Sequence, residues 1–453
     1  MKNAVILCAG AGTKFWPYAN IRNKVMMPVS NQPIVSYAVE SLHTLGVENI
    51  VLVAGSFHEE IRAYFRDDPS VRIVVDAAPK GTAYSLLQAK ELVDSDFLTL
   101  YGDTILATED IAQLAEAFEA TGENTALVSA IDRGSEHIGC TIEDGKVCEI
   151  YGHSRDDSTH RFGGFAFRYD FFEALQYNGC RFTYTDVGMM SPIEGYLEIT
   201  LGDEMRRGMV LHAVAAKEKY YDIDRPWDAL EANAAMNAKK CGALTENILA
   251  EGASIDETAV LHGFVKLGKN SVIGKNVIIE GNVIIGDDTE VKNGAILSEN
   301  VVIGDRNRIR NACFIEAYST VGNDCIVSHA AELDGMILNR VYLYHYMEWC
   351  GVIGENTDLG AATVCGSLRF DDSITLQRVK GRRELHNGFG DAVFLGDYCR
   401  TGVNAILMPG VKVGTYSVVG AGVLLKKDVP DNTIIYNEQN LTEKHWGPEK
   451  YGW

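Results

Sequence analysis

Residues 4–14 read AVILCAGAGTK, an apolar run followed by two glycines, a threonine and a lysine. A short apolar run of this kind predicts a buried β-strand. Glycines directly after a strand let backbone N–H groups approach a phosphate closely. Lys14 and, further on, Lys24 would then neutralise the charge of a triphosphate. Because glycine-rich turns after strands are common, the rest of the chain has to decide the function.

Strand-like and helix-like segments alternate through the first half of the chain. Apolar runs at Ala4–Cys8, Ile50–Ala54 and Val71–Val75 are separated by helical patterns at Ile34–Leu45 and Phe57–Phe65. This order predicts an α/β fold with a mostly parallel sheet and helices on both faces. In such folds ligands bind at the carboxyl ends of the strands, where residues 9–14 would lie.

After residue 251 the sequence acquires a period of six. Gly268, Gly286, Gly304 and Gly322 lie 18 residues apart, and the residue before each is aliphatic. A six-residue unit with an inward aliphatic side chain and a turn glycine predicts a parallel β-helix. Three units make one triangular coil, so equivalent corners stack on one another.

The six-residue period breaks at residues 323–352 and again at 367–392. We expect both segments to be surface insertions, which commonly carry function in solenoids. The first is rich in aromatic residues and the second in cations. A basic loop on an acidic chain suggests an anionic ligand or partner, and a solvated loop paired with its own carboxylates is the alternative. The cations are Arg369, Arg378, Lys380, Arg382 and Arg383.

The 453-residue chain is acidic, with 41 Lys and Arg against 62 Asp and Glu and a formal net charge of −21. This charge disfavours nucleic acid and anionic lipid as partners. No apolar run approaches the roughly 18 residues that a membrane span needs. The first residues do not resemble an export signal, so we expect a cytoplasmic protein whose ten cysteines are reduced and mostly buried. No Cys-x-x-Cys pair occurs, which argues against a zinc site.

The stretch Leu7–Ile34 resembles the signature of sugar-1-phosphate nucleotidylyltransferases, G-x-G-T-R-x-x-P-x(6)-K-x(3)-P-V. Seven positions are in phase with it: Gly10, Gly12, Thr13, Pro17, Lys24, Pro28 and Val29. Later elements follow in the family's order, at Gly81-Thr82-Ala83, Tyr101-Gly102-Asp103, Glu198-Ile199-Thr200 and Tyr221-Asp222-Ile223. With the hexapeptide half, the chain resembles the bifunctional N-acetylglucosamine-1-phosphate uridylyltransferase/glucosamine-1-phosphate acetyltransferases and their archaeal-type relatives.

The resemblance implies a Rossmann-like nucleotidyltransferase domain at 1–237, a linker at 238–250, a left-handed β-helix at 251–430 and a tail at 431–453. It implies Mg²⁺-dependent transfer of a nucleotidyl group, from UTP or dTTP by preference, to a sugar 1-phosphate with release of pyrophosphate. Lys14, Lys24 and Asp103 would be catalytic, and Asp103 and Asp222 would hold the metal. The substrate-binding positions would be Gly10, Ala11, Gly12, Thr13, Asp76, Gly81, Thr82, Gly102, Gly139, Gly164, Glu198 and Asp222.

For the β-helix, the resemblance implies a homotrimer and an acetyltransferase that uses acetyl-CoA, with His345 and Lys380 as its candidate residues. Tyr344 rather than His345 is in phase with the family's histidine, and Ser367 replaces an asparagine. Acetyl transfer is therefore an alternative second activity. We expect the β-helix to contribute no essential group to nucleotidyl transfer.

Five departures from the family lie in the first half. Lys14 replaces an arginine, Asn23 a proline, and Asp76 a glutamine that contacts the base. Among the positions that contact the sugar in the family, Gly152 aligns with a glutamate and Phe162-Gly163-Gly164 with an Asn-x-Gly motif. The resemblance therefore does not decide which sugar phosphate is bound. A non-catalytic regulatory homologue is the remaining alternative. For Asp222, a helix cap before Pro226 is the alternative to a metal ligand.

Overall fold

The computed structural model describes residues 1–131, 137–151, 158–179, 194–386 and 388–451. An α/β domain is followed by a long stack of short parallel strands, which confirms the predicted fold class. Within the described residues, no helix combines the length and the hydropathy needed to cross a membrane.

The first domain is built on a nine-stranded mixed sheet with the order β5-β4-β1-β6-β11-β8-β12-β10-β9. Strands β5, β4, β1 and β6 are parallel, whereas β11 runs antiparallel to both of its neighbours. The expected parallel arrangement therefore holds for the half that begins with residues 3–8. The strands are β1 Asn3–Cys8, β2 Pro28–Val29, β3 Gln32–Pro33, β4 Asn49–Ala54, β5 Val71–Val75, β6 Phe97–Tyr101, β7 Thr104–Ile105, β8 Thr125–Ala130, β9 Gly139–Glu143, β10 Lys146–Ile150, β11 His160–Phe167, β12 His212–Ala215 and β13 Tyr221–Asp222.

Helices cover both faces of this sheet because β1 is apolar on both sides. Ala4 and Ile6 point into one buried cluster, and Val5 and Leu7 point into the other. The first cluster takes side chains from α1 and α4, and the second from α3, α5 and α6. The helices are α1 Ile34–Thr44, α2 His58–Tyr64, α3 Thr82–Leu87, α4 Thr108–Thr121, α5 Phe171–Leu175, α6 Leu197–Arg206 and α7 Pro226–Gly242. Helix α7 continues past residue 237, where we expect the first domain to end.

The second half is a parallel β-helix with three faces. Face one contains Ile248–Leu249, Val265–Leu267, Val283–Ile285, Val301–Ile303, Thr320–Val321, Val393–Leu395 and Lys412–Val413. Face two contains Ser254–Ile255, Val272–Ile273, Glu290–Lys292, Arg308–Arg310, Ile326–Val327, Tyr342–Leu343, Asp358–Leu359, Arg400–Thr401, Val418–Val419 and Ile434–Ile435. Face three contains Val260–Leu261, Ile278–Ile279, Ile296–Leu297, Phe314–Ile315, Val364–Cys365, Ile406–Leu407 and Leu424–Leu425. The predicted 18-residue spacing is the ladder register, since Val265 pairs with Val283 and Val283 with Val301.

The first break in the repeat is not an insertion, and that expectation is wrong. Val321 pairs with Ile337 and Ile337 with Ile353, so these coils are continuous but shorter than 18 residues. Two long strands, Glu332–Ile337 and Glu348–Ile353, run from face three to face one across a corner. They bend at Gly335 (φ +122°) and Gly351 (φ +135°), a backbone conformation that glycine adopts at little cost.

The second break is an insertion, as predicted. Ile353 pairs with Leu395 and Val364 with Ile406, so the chain leaves the stack only between Cys365 and Val393. Its antiparallel strands Gln377–Val379 and Arg382–Glu384 form a hairpin, called here the 377–384 hairpin.

The two halves share a buried core. Phe15, Tyr18 and Trp227 of the first domain pack in one cluster with Val352 and Phe394 of the β-helix. The Tyr18 hydroxyl donates to the Val352 carbonyl oxygen at 2.8 Å. A first domain cut off before the β-helix would therefore expose a large apolar surface, which sequence inspection did not anticipate.

Polar contacts reinforce that core. The Asn237 amide of α7 donates to the carbonyl oxygens of Tyr318 (2.9 Å) and Ser319 (3.1 Å) on the β-helix. Arg22 forms a buried ion pair with Asp397. Removing one partner of such a pair leaves a buried charge uncompensated, so the interface is specified by hydrogen bonds as well as by apolar packing.

Lys412 gives this interface a pH dependence. Its side chain is buried, its Nζ donates to the Arg378 carbonyl oxygen at 3.0 Å, and burial lowers its pKa to about 8. In the unfolded chain the same group has a pKa of about 10.4. The unfolded state therefore binds more protons between these values, and this contribution to stability grows as the pH rises through that window.

We predict that Lys412→Met removes this increase in stability at alkaline pH. Between pH 7.5 and 10, the free energy of unfolding of the wild type should rise relative to that of Lys412→Met by up to ~3 kcal/mol. Urea unfolding across this range measures the difference, with the exposed Lys275→Met as control. Parallel curves for wild type and Lys412→Met would contradict the prediction.

Candidate active site

A cleft of about 320 Å³ opens at the carboxyl ends of β1 and β6. It is lined by nine of the residues predicted from the sequence: Gly10, Gly12, Thr13, Lys14, Lys24, Thr82, Asp103, Glu198 and Asp222. Residues separated by about two hundred positions in the chain thus face one another in one site.

The loop after β1, residues 10–14, forms one wall of the cleft. Gly12 has φ +61°, and a Cβ there would lie 3.1 Å from the Cβ of Lys24. Glycine is required because any side chain would combine an unfavourable backbone conformation with a close contact. The loop can therefore lie directly against Lys24.

Asn23, one of the departures from the family, fixes Lys24 in place. Its side-chain amide donates to the carbonyl oxygens of Cys8 (3.2 Å) and Ser56 (2.9 Å). Its side-chain oxygen accepts from Val25 N, which caps the short 3₁₀ helix Lys24–Met26. An amide can make these bonds and a proline cannot.

Main-chain hydrogen bonds bring the predicted metal ligands together. Gly102 N donates to the Leu7 carbonyl oxygen, which places Asp103 beside the end of β1. Strand β13 pairs with β7, and Ile223 N donates to the Asp103 carbonyl oxygen at 3.0 Å. One oxygen each of Asp103, Asp222 and Asp224 lies within 4.8 Å of the others.

Two lysines are held by these carboxylates. Lys24 Nζ lies 2.5 Å from Asp103 Oδ2 and 2.9 Å from Asp224 Oδ1. Lys14 Nζ lies 3.2 Å from Asp224 Oδ2. Asp224 is the shared counterion of both lysines.

The electrostatics of the cleft follow from burial and from these pairs. Burial alone would lower the pKa of Lys24, but Asp103 and Asp224 raise it well above its usual value. Burial also outweighs Lys24 at Asp103, whose pKa is raised, with repulsion from Asp222 adding to the effect. Although burial opposes it, Lys24 and Lys14 hold the pKa of Asp224 well below its usual range. Asp224 therefore stays ionised, and Lys24 stays charged.

Asp224 is the candidate site residue that the sequence analysis missed. The available signal was its spacing: Asp222 and Asp224 are two residues apart after a strand-like run, and alternate residues of an extended chain share a face. Asp222 is not a helix cap. The Asp228 carboxylate accepts from the backbone N–H groups of Asp224 and Arg225 at the start of α7.

Glu198 lies at the opposite wall, in the first turn of α6. Its Oε1 accepts from the Tyr101 hydroxyl at 2.6 Å, whereas its buried Oε2 has no hydrogen-bond partner among the residues that the structure describes. Burial raises the pKa of this carboxyl. A buried carboxylate oxygen without a donor is positioned to accept a hydrogen bond from a hydroxyl group.

The remaining predicted positions are not among the residues that line the cleft. Asp76 follows β5, and its oxygens accept from Ser85 Oγ (2.8 Å) and Ala78 N (3.3 Å). Gly81 precedes α3 with φ +113°, and a Cβ there would meet the backbone of Gly195 at 2.5 Å. Ala11 and Gly102 adjoin the lining residues, Gly139 begins β9 and Gly164 lies within β11. Gly152 lies outside the described residues.

The two acetyltransferase candidates lie in different places. His345 is exposed on the β-helix, with its Nδ1 2.9 Å from Nδ1 of His329. Lys380, in the turn of the 377–384 hairpin, donates to Thr13 Oγ1 at 3.0 Å and so touches the wall of the cleft in the first domain.

The carboxylate cluster suits a hard divalent cation. All three candidate ligands are carboxylate oxygens, and Mg²⁺ prefers one or two such ligands together with substrate phosphates. Among the described residues, Asp222 forms no ion pair with either lysine, and its Oδ2 lies 3.4 Å from Nδ1 of His137. A second cluster, Asp228, Glu231 and His386, suits a metal less well. His386 Nδ1 accepts from two backbone N–H groups, which leaves the proton on Nε2.

Comparison with known proteins agrees with this geometry. A family model described as "MobA-like NTP transferase domain" matches residues 4–175, and one described as "GMPPB C-terminal domain" matches residues 243–346. The chain is 29% identical to "Bifunctional protein GlmU" of Methanococcus vannielii, covering 98% of this chain and 99% of that protein.

Two further relatives also match over most of their length. "Bifunctional sugar-1-phosphate nucleotidylyltransferase/acetyltransferase" of Sulfurisphaera tokodaii is 24% identical, with 94% of this chain and 98% of that protein covered. "Bifunctional protein GlmU" of Methanococcus maripaludis strain C7 is 31% identical, with 97% of this chain and 98% of that protein covered. Identity at this level over both domains shows that the chain belongs to the family of bifunctional GlmU proteins.

Proposed function

We propose that the cleft transfers a nucleotidyl group from a nucleoside triphosphate to a sugar 1-phosphate and releases pyrophosphate. The observation that carries this proposal is the arrangement of Lys14 and Lys24 against Asp103, Asp222 and Asp224 beside the residue 10–14 loop. Such a site offers phosphate-binding cations and metal-binding carboxylates within one cleft.

The reaction needs little acid–base chemistry. A sugar phosphate is already anionic at neutral pH, so its oxygen attacks the α-phosphorus without losing a proton. A new P–O bond forms there, and the bond to the β-phosphate oxygen breaks, with the electron pair leaving on pyrophosphate. Catalysis consists of alignment and neutralisation of charge.

The two lysines supply part of that neutralisation. Lys24 is buried and held between Asp103 and Asp224, so it presents a fixed charge at the base of the cleft. Lys14 is half-exposed and bound only to Asp224 among the described residues, so it can move onto a phosphate oxygen. A fixed and a mobile cation fit a reaction in which negative charge shifts to the leaving group.

Asp103 and Asp222 would hold a Mg²⁺ ion. When bound, the ion would neutralise negative charge on the substrate phosphates. On the acceptor side, the free Oε2 of Glu198 would accept a hydrogen bond from a sugar hydroxyl. We favour UTP or dTTP as the donor, in line with the sequence resemblance.

The test is a pyrophosphate-release screen of the full-length protein. The four common nucleoside triphosphates and dTTP are each combined with hexose and amino-hexose 1-phosphates, with and without Mg²⁺. We expect release only when a triphosphate, a sugar phosphate and the metal are all present. Release that does not depend on the sugar phosphate would refute the proposal.

A homotrimer formed through face three of the β-helix is part of the proposal. The outward positions of its ladder are apolar at Val260, Ile278, Ile296 and Phe314, and again at Val364, Ile406 and Leu424. Glu332 and Glu348 interrupt this ladder between Phe314 and Val364, so the exposed or half-buried apolar positions form two stripes. Apolar stripes at a surface mark an association surface. Sedimentation equilibrium should give three times the chain mass of 49.7 kDa, and a monomer would contradict the assignment.

Acetyl transfer by the β-helix is a second candidate activity. It is favoured by the contact between His345 and His329, in which one ring nitrogen must accept from the other. That bond orients His345 as a general base that removes a proton from an amine attacking acetyl-CoA.

We predict that the protein releases free coenzyme A when supplied with acetyl-CoA and an amino-sugar 1-phosphate, and that His345→Ala lowers this rate at least a hundredfold. A thiol reagent measures the release, with His445→Ala, at an exposed position of the C-terminal tail, as control. Thiol release that is unchanged in His345→Ala would contradict the assignment of the base.

A further inference from the structure

The 377–384 hairpin of the β-helix lies against the loop of residues 10–14 in the first domain. Lys380 Nζ donates to Thr13 Oγ1 at 3.0 Å across a sequence separation of 367 residues. Thr13 is exposed and lines the cleft beside Lys14. The β-helix therefore places an ammonium group at the mouth of the site.

The hairpin is held firmly on both sides of its turn. Glu384 Oε2 lies 2.8 Å from Nε of Arg225, the residue that precedes α7 in the first domain. From the β-helix, the buried Lys412 donates to the Arg378 carbonyl oxygen at 3.0 Å. Val379 is buried in the core that the two domains share. The position of Lys380 is thus set by both domains.

The side chains that line the cleft carry more negative than positive charge, so a bound triphosphate would need further cations. The lining of the cleft holds three cations, Lys14, Lys24 and Arg161, against five carboxyl groups, those of Asp103, Asp222, Asp224, Glu194 and Glu198. Lys380, by contrast, has no carboxylate in ion-pair contact within the part of the chain that the structure describes, and its partner is a neutral hydroxyl. Its charge is available to an incoming anion.

Two features of the hairpin cost stability and have no evident structural benefit. Lys380 and Gly381 form a two-residue turn with φ +47° and +81°, a geometry that favours Asn or Gly at the position of Lys380. Arg378 lies directly opposite Arg383 in the ladder, and like charges in that position repel. A bound anion would offset both costs.

We propose that Lys380 binds the terminal phosphates of the nucleoside triphosphate and the pyrophosphate that leaves, an inference that rests on the nucleotidyl transfer proposed above. The reacting α-phosphorus belongs near the buried Lys24 and the carboxylates. The β- and γ-phosphates then extend along residues 10–14 toward the exposed Thr13, where Lys380 lies. The β-helix domain completes the substrate site of the first domain.

Binding of inorganic tripolyphosphate to the full-length protein, measured by calorimetry with Mg²⁺, tests the proposal without relying on turnover. Lys380→Met should weaken the Kd about tenfold, and Lys380→Arg should recover most of it. Lys275→Met, at an exposed position of the β-helix, should bind like the wild type. Equal melting temperatures show that the effect is not a loss of folding.

Steady-state kinetics give the second measurement. In Lys380→Met the KM values for the triphosphate and, in the reverse reaction, for pyrophosphate should rise about tenfold, while the KM for the sugar 1-phosphate stays the same. An unchanged Kd and an unchanged KM for the triphosphate would overturn the proposal, as would an effect on the KM for acetyl-CoA alone. If tripolyphosphate binding weakens as expected but no sugar phosphate supports pyrophosphate release, the role of Lys380 stands and the proposed reaction fails.

Discussion

Asp103→Asn and Asp222→Asn are each expected to lower the rate of pyrophosphate release about a thousandfold, a loss of ~4 kcal/mol in transition-state stabilisation. Each substitution removes one of the carboxylate charges that would hold the divalent cation between the reacting phosphates. The rate should be measured across a Mg²⁺ titration, because weakened metal binding also raises the metal concentration needed for half-maximal activity.

The same variants should fold normally. Burial already raises the pKa of Asp103, and Asp103→Asn leaves the buried Lys24 paired with Asp224, so an amide of the same shape should hardly reduce the melting temperature. Asp144→Asn, at an exposed turn of the same domain, is the matched control for the loss of one charge. Near-normal release by Asp103→Asn or Asp222→Asn at saturating Mg²⁺ would remove that residue from the metal site.

Lys14→Ala is expected to lower the rate about a hundredfold, or ~2.7 kcal/mol, whereas Lys14→Arg should keep or improve it. The position needs a positive charge beside the migrating phosphoryl group, and a guanidinium can contact two phosphate oxygens at once. Lys14 is half-exposed, so its removal should hardly affect folding.

Lys146→Ala, an exposed lysine on β10, controls for the change in net charge. A loss of less than tenfold in Lys14→Ala would mean that this lysine serves only as a counterion of Asp224. In that event Lys24 would remain the single lysine of the first domain acting on the phosphates.

The six-residue repeat of the β-helix and the loop of residues 10–14 could be predicted from the sequence because each depends on residues that are close together in the chain. An aliphatic residue and a glycine every six positions fix the register of a coil, and Val265, Val283 and Val301 stack as their spacing predicts. The glycine at position 12 likewise indicates a backbone with positive φ, a conformation that few other residues adopt. Such signals survive in a single sequence because they do not depend on distant contacts.

Other features depend on distant contacts and were beyond that approach. A coil that is two residues shorter disturbs the six-residue period just as an insertion does. The sequence pattern of residues 323–352 therefore predicted a surface insertion, although the strands of this segment continue the stack. The role of Asp224 follows from its position between Lys14 and Lys24, which only the folded chain reveals. The contact between Lys380 and Thr13 joins two domains, and the sequence pattern of neither domain indicates which residues of the other it contacts.

The shared core changes how the two activities should be studied. Tyr18 and Trp227 of the first domain are buried against Val352 and Phe394 of the β-helix. Truncation would remove that packing together with Lys380, so a loss of activity in a truncated chain could not be assigned to either cause. Point substitutions in the full-length protein separate the two.

The most direct test of the central claim follows the phosphorus atoms of the donor. The full-length protein is incubated with Mg²⁺, a sugar 1-phosphate and the preferred triphosphate, labelled with ³²P at either the α- or the γ-position. Nucleotidyl transfer predicts that the α-label appears in a nucleotide sugar and the γ-label in pyrophosphate, with both products formed about a thousandfold more slowly in Asp103→Asn. Release of the γ-label as inorganic phosphate, or its transfer to the sugar phosphate, would contradict the account.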